Sequence, residues 1–401
     1  MAEQRKPFVL HTRVVTGTGG GPEKTILNSP RFLRRHGIDS ACLFMRPADD
    51  PGFASLRNKA SEAKAPIFGV DDHGPFDMNV FRQCLRICRE RRVDVWHAHD
   101  YKSNAIGLAL SRFHPMHLVT TAHGWVRFTS RTPLYYRIDK FCLKHYQQVI
   151  CVSEDLYEQC QKFGVRPDRL SLIDNAIIAD DYNPAPATAE EKRSLGFEPD
   201  TLLIGACGRL SEEKGFQQLI DAVGRLIAAG HSIGLVIAGE GHLKDSLLNQ
   251  IQSLGLSDRI RLTGFLEDPR QLYRAIDVFV LSSLREGLPN VVLEAMASQR
   301  AVVTTRVNGI PRLVQSGENG IIVEADNIDA LYRGLEVCLR DRTLREDIAA
   351  QGRATVENEF SFDRRMEKVV AVYRSLSGEI AMKIGTSVSH RNAAKREPIA
   401  T

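Results

Sequence analysis

The sequence predicts an α/β chain built from two doubly wound, parallel-sheet domains in series. Three observations carry that expectation. Strand-like apolar runs alternate with amphipathic helical stretches along the chain. The alternation breaks at 183–194, NPAPATAEEKRS, where two Pro, three Ala and mixed charges read as a linker. The 401 residues, 43% of them hydrophobic, supply apolar material for two cores at roughly 150 residues per domain.

In the first half, 7–15, 40–45, 93–99, 117–123 and 148–153 read as strands. Residues 77–92 carry Phe81, Cys84, Leu85 and Cys88 at i, i+3, i+4, i+7, one apolar face of a helix. Beyond the linker, strands are expected at 201–208, 233–241, 260–265, 278–283, 301–305 and 320–323, with helices at 214–229 and 289–298. A closing helix at 362–378 and a mobile polar tail at 379–401 complete the reading. The domains are thus 1–182 and 201–361, joined by 183–200.

Ordinary apolar and charged fractions exclude disorder, collagen and a disulfide miniprotein for the whole chain. The net charge of +4 is too balanced to predict nucleic-acid binding. Residues 1–181 hold 26 Lys/Arg against 20 Asp/Glu, the remainder 27 against 29, so the first half is expected to meet something anionic. Eight Cys without a C-x-x-C pair read as buried free thiols in a reducing compartment. The N-terminal stretch MAEQRKPFVL lacks a signal-peptide core, and no run approaches the ~18 apolar residues of a membrane span. The expectation is a cytoplasmic protein, with membrane contact only at a surface.

The segment 14–25, VVTGTGGGPEKT, follows a strand and opens a helix. Glycines admit close backbone approach, and free amides at a helix start attract anions. It is not a P-loop, because Glu23 stands where that motif needs Gly. Nor is it a dinucleotide fingerprint, because Pro22 replaces the third Gly. A turn without a ligand stays open as an alternative.

In GACGRLSEEKG, Arg209 lies just past a strand and Lys214 at the next helix start, where two cations suit a diphosphate; a pair of surface charges flanked by Glu212 and Glu213 stays open as an alternative. In LREGLPNVVLEAMA, Glu286 precedes a helix and Glu294 lies two turns into it, near one edge. Pro289 sits at that helix start, whose first-turn amides favour phosphate.

With GTGGGPEKT, TAHGW, GRLSEEKG, AGEG, LTGF and REGLPNVVLEAMA in this order, the sequence resembles the family 4 retaining glycosyltransferases over nearly its whole length. The resemblance implies the GT-B fold: two Rossmann-like domains facing a cleft, with the C-terminal helix crossing back to the N-terminal domain. It further implies that Arg209 and Lys214 stabilise a leaving diphosphate, that Glu294 holds the ribose, and that Glu286 contacts the transferred sugar. His123 would face that sugar, and Gly19, Gly20 and Gly21 would lie under the diphosphate. Gly239, Glu240, Gly241, Thr263, Gly264, Phe265 and Leu266 would line the base pocket, and Gly287, Leu288, Pro289 and Asn290 would complete the donor site. The donor would be UDP- or GDP-linked. No cofactor and no metal are expected, since two cations and helix amides offset the phosphate charge. Pro30 departs from the family pattern by interrupting a helix, and Asn308 and Arg312 stand where Gly and Glu are frequent.

His97 and His99 alternate along a strand with no third metal ligand in sight, so no metal is expected there, and sugar or acceptor contact by His99 or Asp100 stays open. Arg127, Arg131, Arg137, Lys140 and Lys144 interleave with aromatics and are expected to meet the acceptor or a membrane, whereas Arg82, Arg86 and Arg89 read as a solvated face. The expected function is retaining sugar transfer from a nucleotide diphosphate-sugar to a glycan or lipid-linked acceptor in cell-surface polysaccharide synthesis. Two alternatives stay open: a nucleotide-sugar epimerase or phosphorylase, and a catalytically silent binding subunit. Neither nucleic acid nor a tightly bound metal enters any of these readings.

Overall fold

The computed structural model describes residues 5–376 except 18, 76, 125–131 and 183. The chain divides into two compact units. The first comprises Met1–Ile173 and Met366–Thr401, the second Asp174–Arg365.

The first unit is a seven-stranded sheet, every pairing parallel. Its strands are β1 (Phe8–Val14), β2 (Asp39–Arg46), β3 (Ile67–Asp71), β4 (Val95–Ala98), β5 (His117–Ala122), β6 (Gln148–Cys151) and β7 (Leu170–Leu172), in the order β3-β2-β1-β4-β5-β6-β7. The central strands are buried on both faces, as helix-covered parallel strands must be, and so read as unbroken apolar runs. Strands β3 and β7 escape the sequence reading. Both are edge strands, one interrupted by Gly69 and the other only three residues long, so neither shows a full apolar run.

The second unit is a six-stranded parallel sheet of β8 (Leu202–Cys207), β9 (Ile233–Ala238), β10 (Ile260–Gly264), β11 (Val278–Leu281), β12 (Ala301–Thr305) and β13 (Ile321–Val323). Its order is β10-β9-β8-β11-β12-β13. Two apolar clusters cover its faces, one around Leu219, Leu235 and Leu335, the other around Phe279, Leu293 and Tyr273.

Three expectations change. The stretch 183–200 is not a free linker but part of the second unit. It holds the helix Ala189–Ser194, whose buried Lys192 donates to Asp277 at 2.9 Å and to the Thr201 carbonyl at 2.8 Å. The unit boundary falls at 173/174, and the chain rejoins the first unit at Met366, inside a helix that runs over 362–376. Pro30 does not interrupt its helix. Gly21–Arg35 is continuous, and the Ile26 carbonyl, deprived of its i+4 donor by Pro30, accepts from Cys42 Sγ at 3.4 Å. The tail 379–401 lies outside the described residues.

Candidate functional site

In an open parallel sheet, ligands lodge beyond the carboxyl ends of the strands, where the strand order reverses. In the second unit that point lies between β8 and β11. The chain leaves β8 through Arg209 and a short 3-10 turn, Glu212–Lys214. Gly215, at φ +62°, then turns it into the helix Phe216–Ala228, with the Ser282 carbonyl where a Cβ would stand. Lys214 Nζ meets Glu286 Oε1 at 2.5 Å, and Ser283 Oγ donates to the same oxygen at 2.7 Å. The two charged side chains are only 19% and 14% exposed. Ser282 Oγ donates to the Lys214 carbonyl and the Leu284 amide to the Glu213 carbonyl, each at 2.8 Å, lacing the β8 and β11 loops together. Arg209 stands exposed within electrostatic reach of Glu213.

Glu294 lies buried in the helix Asn290–Ala297. The Tyr273 hydroxyl donates to its Oε2 at 3.0 Å, and Tyr182 bonds the same carboxylate. Burial first and that carboxylate second hold both phenols far above their ordinary range. Cys207, at the end of β8, senses both sides of the site. Burial and Glu294 push its thiol up to about 12, against the pull of Lys214.

The glycines have steric reasons. Gly239, at φ +148°, lies against the Gly208 carbonyl, and Gly241 against the Leu210 carbonyl, so neither has room for a Cβ. The Gly239 amide donates to the Gly264 carbonyl at 2.8 Å, tying the β9 end to Thr263–Leu266. Glu240 and Phe265 are exposed, Thr263 and Leu266 half-buried. Leu288 is buried and its carbonyl accepts from Asn175 at 3.2 Å. Gly287 is covered by Gly309, and Pro289 caps the helix start with no side chain occupying the first-turn amides. Of the two departures noted in the sequence, Arg312 pairs with Asp174 at 2.7 Å and Asn308 is exposed.

In the first unit the strand order reverses between β1 and β4. Register sets His11 beside His97. His99 and His123 follow the ends of β4 and β5. The sequence offered His97 and His99 no third metal ligand, but the fold supplies His11, and nitrogens of these three rings lie within 4.8 Å of one another. The 86-residue separation of His11 and His97 hides that neighbour from any local pattern. His97 Nδ1 lies 2.5 Å from the Tyr373 hydroxyl and its Nε2 lies 2.8 Å from Thr121 Oγ1. Burial, then the neighbouring His97, His11, His123 and Arg13, hold His99 well below its ordinary pKa.

The glycine loop is anchored by a residue the sequence reading used only to exclude a P-loop. Glu23 is buried, accepts from Arg13 Nε at 2.5 Å and from the Gly20 amide at 2.7 Å. Gly19 sits at φ +75°, and Gly21 starts the helix. Asp100 caps the helix Tyr101–Leu110 and accepts from the Val14 amide at 2.6 Å; burial raises its pKa. Arg127 and Arg131 lie outside the described residues. Arg137 and Lys144 are exposed, while the Lys140 ammonium lies 3.9 Å from the Phe163 ring centre.

Comparison with known proteins gives the two units names. Residues 19–181 match the model of Glycosyltransferase Family 4, and residues 187–355 that of Glycosyl transferases group 1. An uncharacterized glycosyltransferase of Methanocaldococcus jannaschii is 28% identical over 82% of this chain and 83% of its own. The capsular polysaccharide biosynthesis glycosyltransferase CapM of Staphylococcus aureus is 32% identical over 61% of this chain and 66% of its own. Among solved structures, Anabaena HepE in complex with UDP and glucose aligns with a TM-score of 0.78 at 20% identity, covering 92% of this chain and 100% of that one. Two parallel-sheet units, each matched by its own half of one enzyme family, lead to a single conclusion: the chain belongs to the family 4 glycosyltransferases of GT-B fold.

Proposed function

We propose that the enzyme transfers a sugar from a nucleotide diphosphate donor to a glycan or lipid-linked acceptor, with retention and without a metal, in polysaccharide synthesis. One observation carries the reading most: Lys214 and Glu286, 72 residues apart, meet at 2.5 Å beyond the β8 and β11 ends. A diphosphate entering there would compete with Glu286 for the ammonium and release the carboxylate toward the sugar. Arg209, Lys214 and the amides of the Asn290 helix start supply the positive charge that a divalent ion would otherwise bring. Glu294, held by two tyrosines, is suited to the ribose hydroxyls. His123 is assigned to the sugar and Gly19–Gly21 to the diphosphate by resemblance. CapM, named for capsular polysaccharide, and HepE, solved with UDP and glucose, support the substrate class.

The test is a panel of UDP- and GDP-sugars with glycan acceptors, read by product mass and by the anomeric coupling constant of the new bond. A product of inverted configuration, or full transfer by Glu286→Ala, would overturn the reading. Donor turnover without acceptor would favour the epimerase or phosphorylase alternative.

The helix Thr132–Leu143 supports membrane contact. Leu134, Ile138 and Phe141 form an outward stripe at i, i+4, i+7, and are 59%, 39% and 58% exposed. Arg137 and Lys144 flank the stripe, while the helix's acid, Asp139, is buried against Asn104 at 2.7 Å. An outward face that is apolar and basic, without a carboxylate, fits an anionic bilayer. Co-sedimentation with phosphatidylglycerol-containing vesicles should exceed that with phosphatidylcholine alone, and Leu134→Ser with Phe141→Ser should abolish the difference. Equal sedimentation with both vesicle types would count against this contact.

A further inference from the structure

Beyond the groups assigned above lies a buried histidine with both ring nitrogens turned to other imidazoles. His99 Nε2 lies 3.2 Å from His11 Nδ1, and His99 Nδ1 lies 3.2 Å from His123 Nε2. The rings lie nearly parallel, His99 at 22° to His97 and 26° to His123, with centres 4.4 and 5.5 Å apart. His99 is also held by its backbone. Its amide donates to the Thr12 carbonyl at 3.0 Å, and its carbonyl accepts from Arg13 Nη1 at 2.7 Å. These bonds hold its backbone, while burial and the flanking rings hold its side chain.

A neutral imidazole carries one N–H and one lone pair. The groups around His99 are His97, His11, His123 and Arg13, with Asp100 next in sequence. The lone proton of His99 points to one neighbour and its lone pair to the other. The three rings accordingly share one direction. Either His11 Nδ1–H donates to His99 and His99 Nδ1–H donates to His123, or each bond runs the opposite way. In the first arrangement a neutral His123 keeps its own proton on Nδ1. In the second it keeps that proton on Nε2 and leaves Nδ1 as an acceptor.

We propose that His99 is a positioning residue which, through the chain His11–His99–His123, fixes the ring orientation of His123 and ties its tautomer to that of His99, so setting the hydrogen-bonding character of its Nδ1. The competing use of the cluster is metal binding by His11, His97 and His99. The hydrogen bonds argue for the chain, because both nitrogens of His97 already face hydroxyls and both of His99 already face imidazoles. Its consequence for turnover rests on the assignment of His123 to the donor sugar.

The experiment uses the full chain, labelled with ¹⁵N-histidine, and long-range ¹⁵N–¹H correlation from pH 5.5 to 8. His99 and His123 are expected to carry their protons on the same ring nitrogen, and His99→Phe is expected to leave His123 a mixture of both tautomers. His99→Phe should lower kcat on the order of tenfold with a smaller change in donor KM, as loss of an outer partner of a functional histidine does. His99→Asn, which keeps an amide near the Nδ1 position, should recover part of the loss. Should His99→Phe fold poorly, His11→Gln breaks the chain one ring further from His123 and is read the same way. Protons on opposite ring nitrogens of His99 and His123 in the wild type, or an unchanged His123 in both variants, would overturn the proposal. So would stoichiometric metal in the purified protein. Full transfer by His123→Ala would instead sink the sugar assignment and leave the tautomer result standing.

Discussion

Lys214 and Glu286 face each other where neither charge is well hydrated, so each depends on the other. Arg209→Ala or Lys214→Ala should each lower kcat on the order of 10²–10³, since charge developing on the leaving phosphate loses a fixed partner. Glu294 depends on its tyrosines. Tyr273→Phe removes a donor at 3.0 Å and should raise the donor KM several-fold with a smaller effect on kcat, measured by steady-state kinetics over donor concentration. His99 makes the first unit sensitive to acid. Burial lowers its folded pKa below the unfolded value of about 6.5. The unfolded chain therefore binds the extra proton, and the stability contribution of neutral His99 is present above pH 6.5 and lost as pH falls through the folded pKa. Melting temperatures should drop between about pH 7 and 5, and more shallowly in His99→Phe.

At the scale of elements, the strand ends depend on bare backbone. Gly239→Ala would push a Cβ into the Gly208 carbonyl at φ +148°. Its expected cost is on the order of 1–3 kcal/mol in chemical denaturation, with donor binding weakened as the β8 and β9 loops part. The helix Gly21–Arg35 keeps its proline because a neighbouring strand supplies the missing donor, Cys42 Sγ to the Ile26 carbonyl. Cys42→Ala should cost about 1 kcal/mol, and less in a Pro30→Ala background where the helix amide returns. A double-mutant cycle showing no coupling would mean the thiol is packing alone. Local rules forbade this helix and the tertiary contact restored it.

At the scale of the molecule, each unit carries its own core, and the C-terminal residues proposed to hold the donor all lie in the second. UDP or GDP should raise the melting of that unit by mass action, and the nucleotide with the larger shift names the donor base. All eight cysteines are free thiols, seven of them buried. Burial pushes Cys88 and Cys338 up to about 12, where the thiolate is scarce at neutral pH. The native protein should react slowly with thiol reagents and take up eight equivalents once unfolded.

The alternation of apolar runs by itself determined two parallel α/β units, because strands covered on both faces must be apolar throughout. The local motifs at strand ends and helix starts singled out Arg209, Lys214, Glu286 and Glu294, whose roles came only from the family resemblance. Edge strands β3 and β7, too short or interrupted to show a run, emerged only from pairing. The membership of 183–200 in the second unit rests on Lys192 finding Asp277, 85 residues away. The imidazole chain likewise needed the β1–β4 register to bring His11 to His99 across 88 residues. Sequence periodicity records what a residue does for its own element; only folding decides which distant side chain it meets.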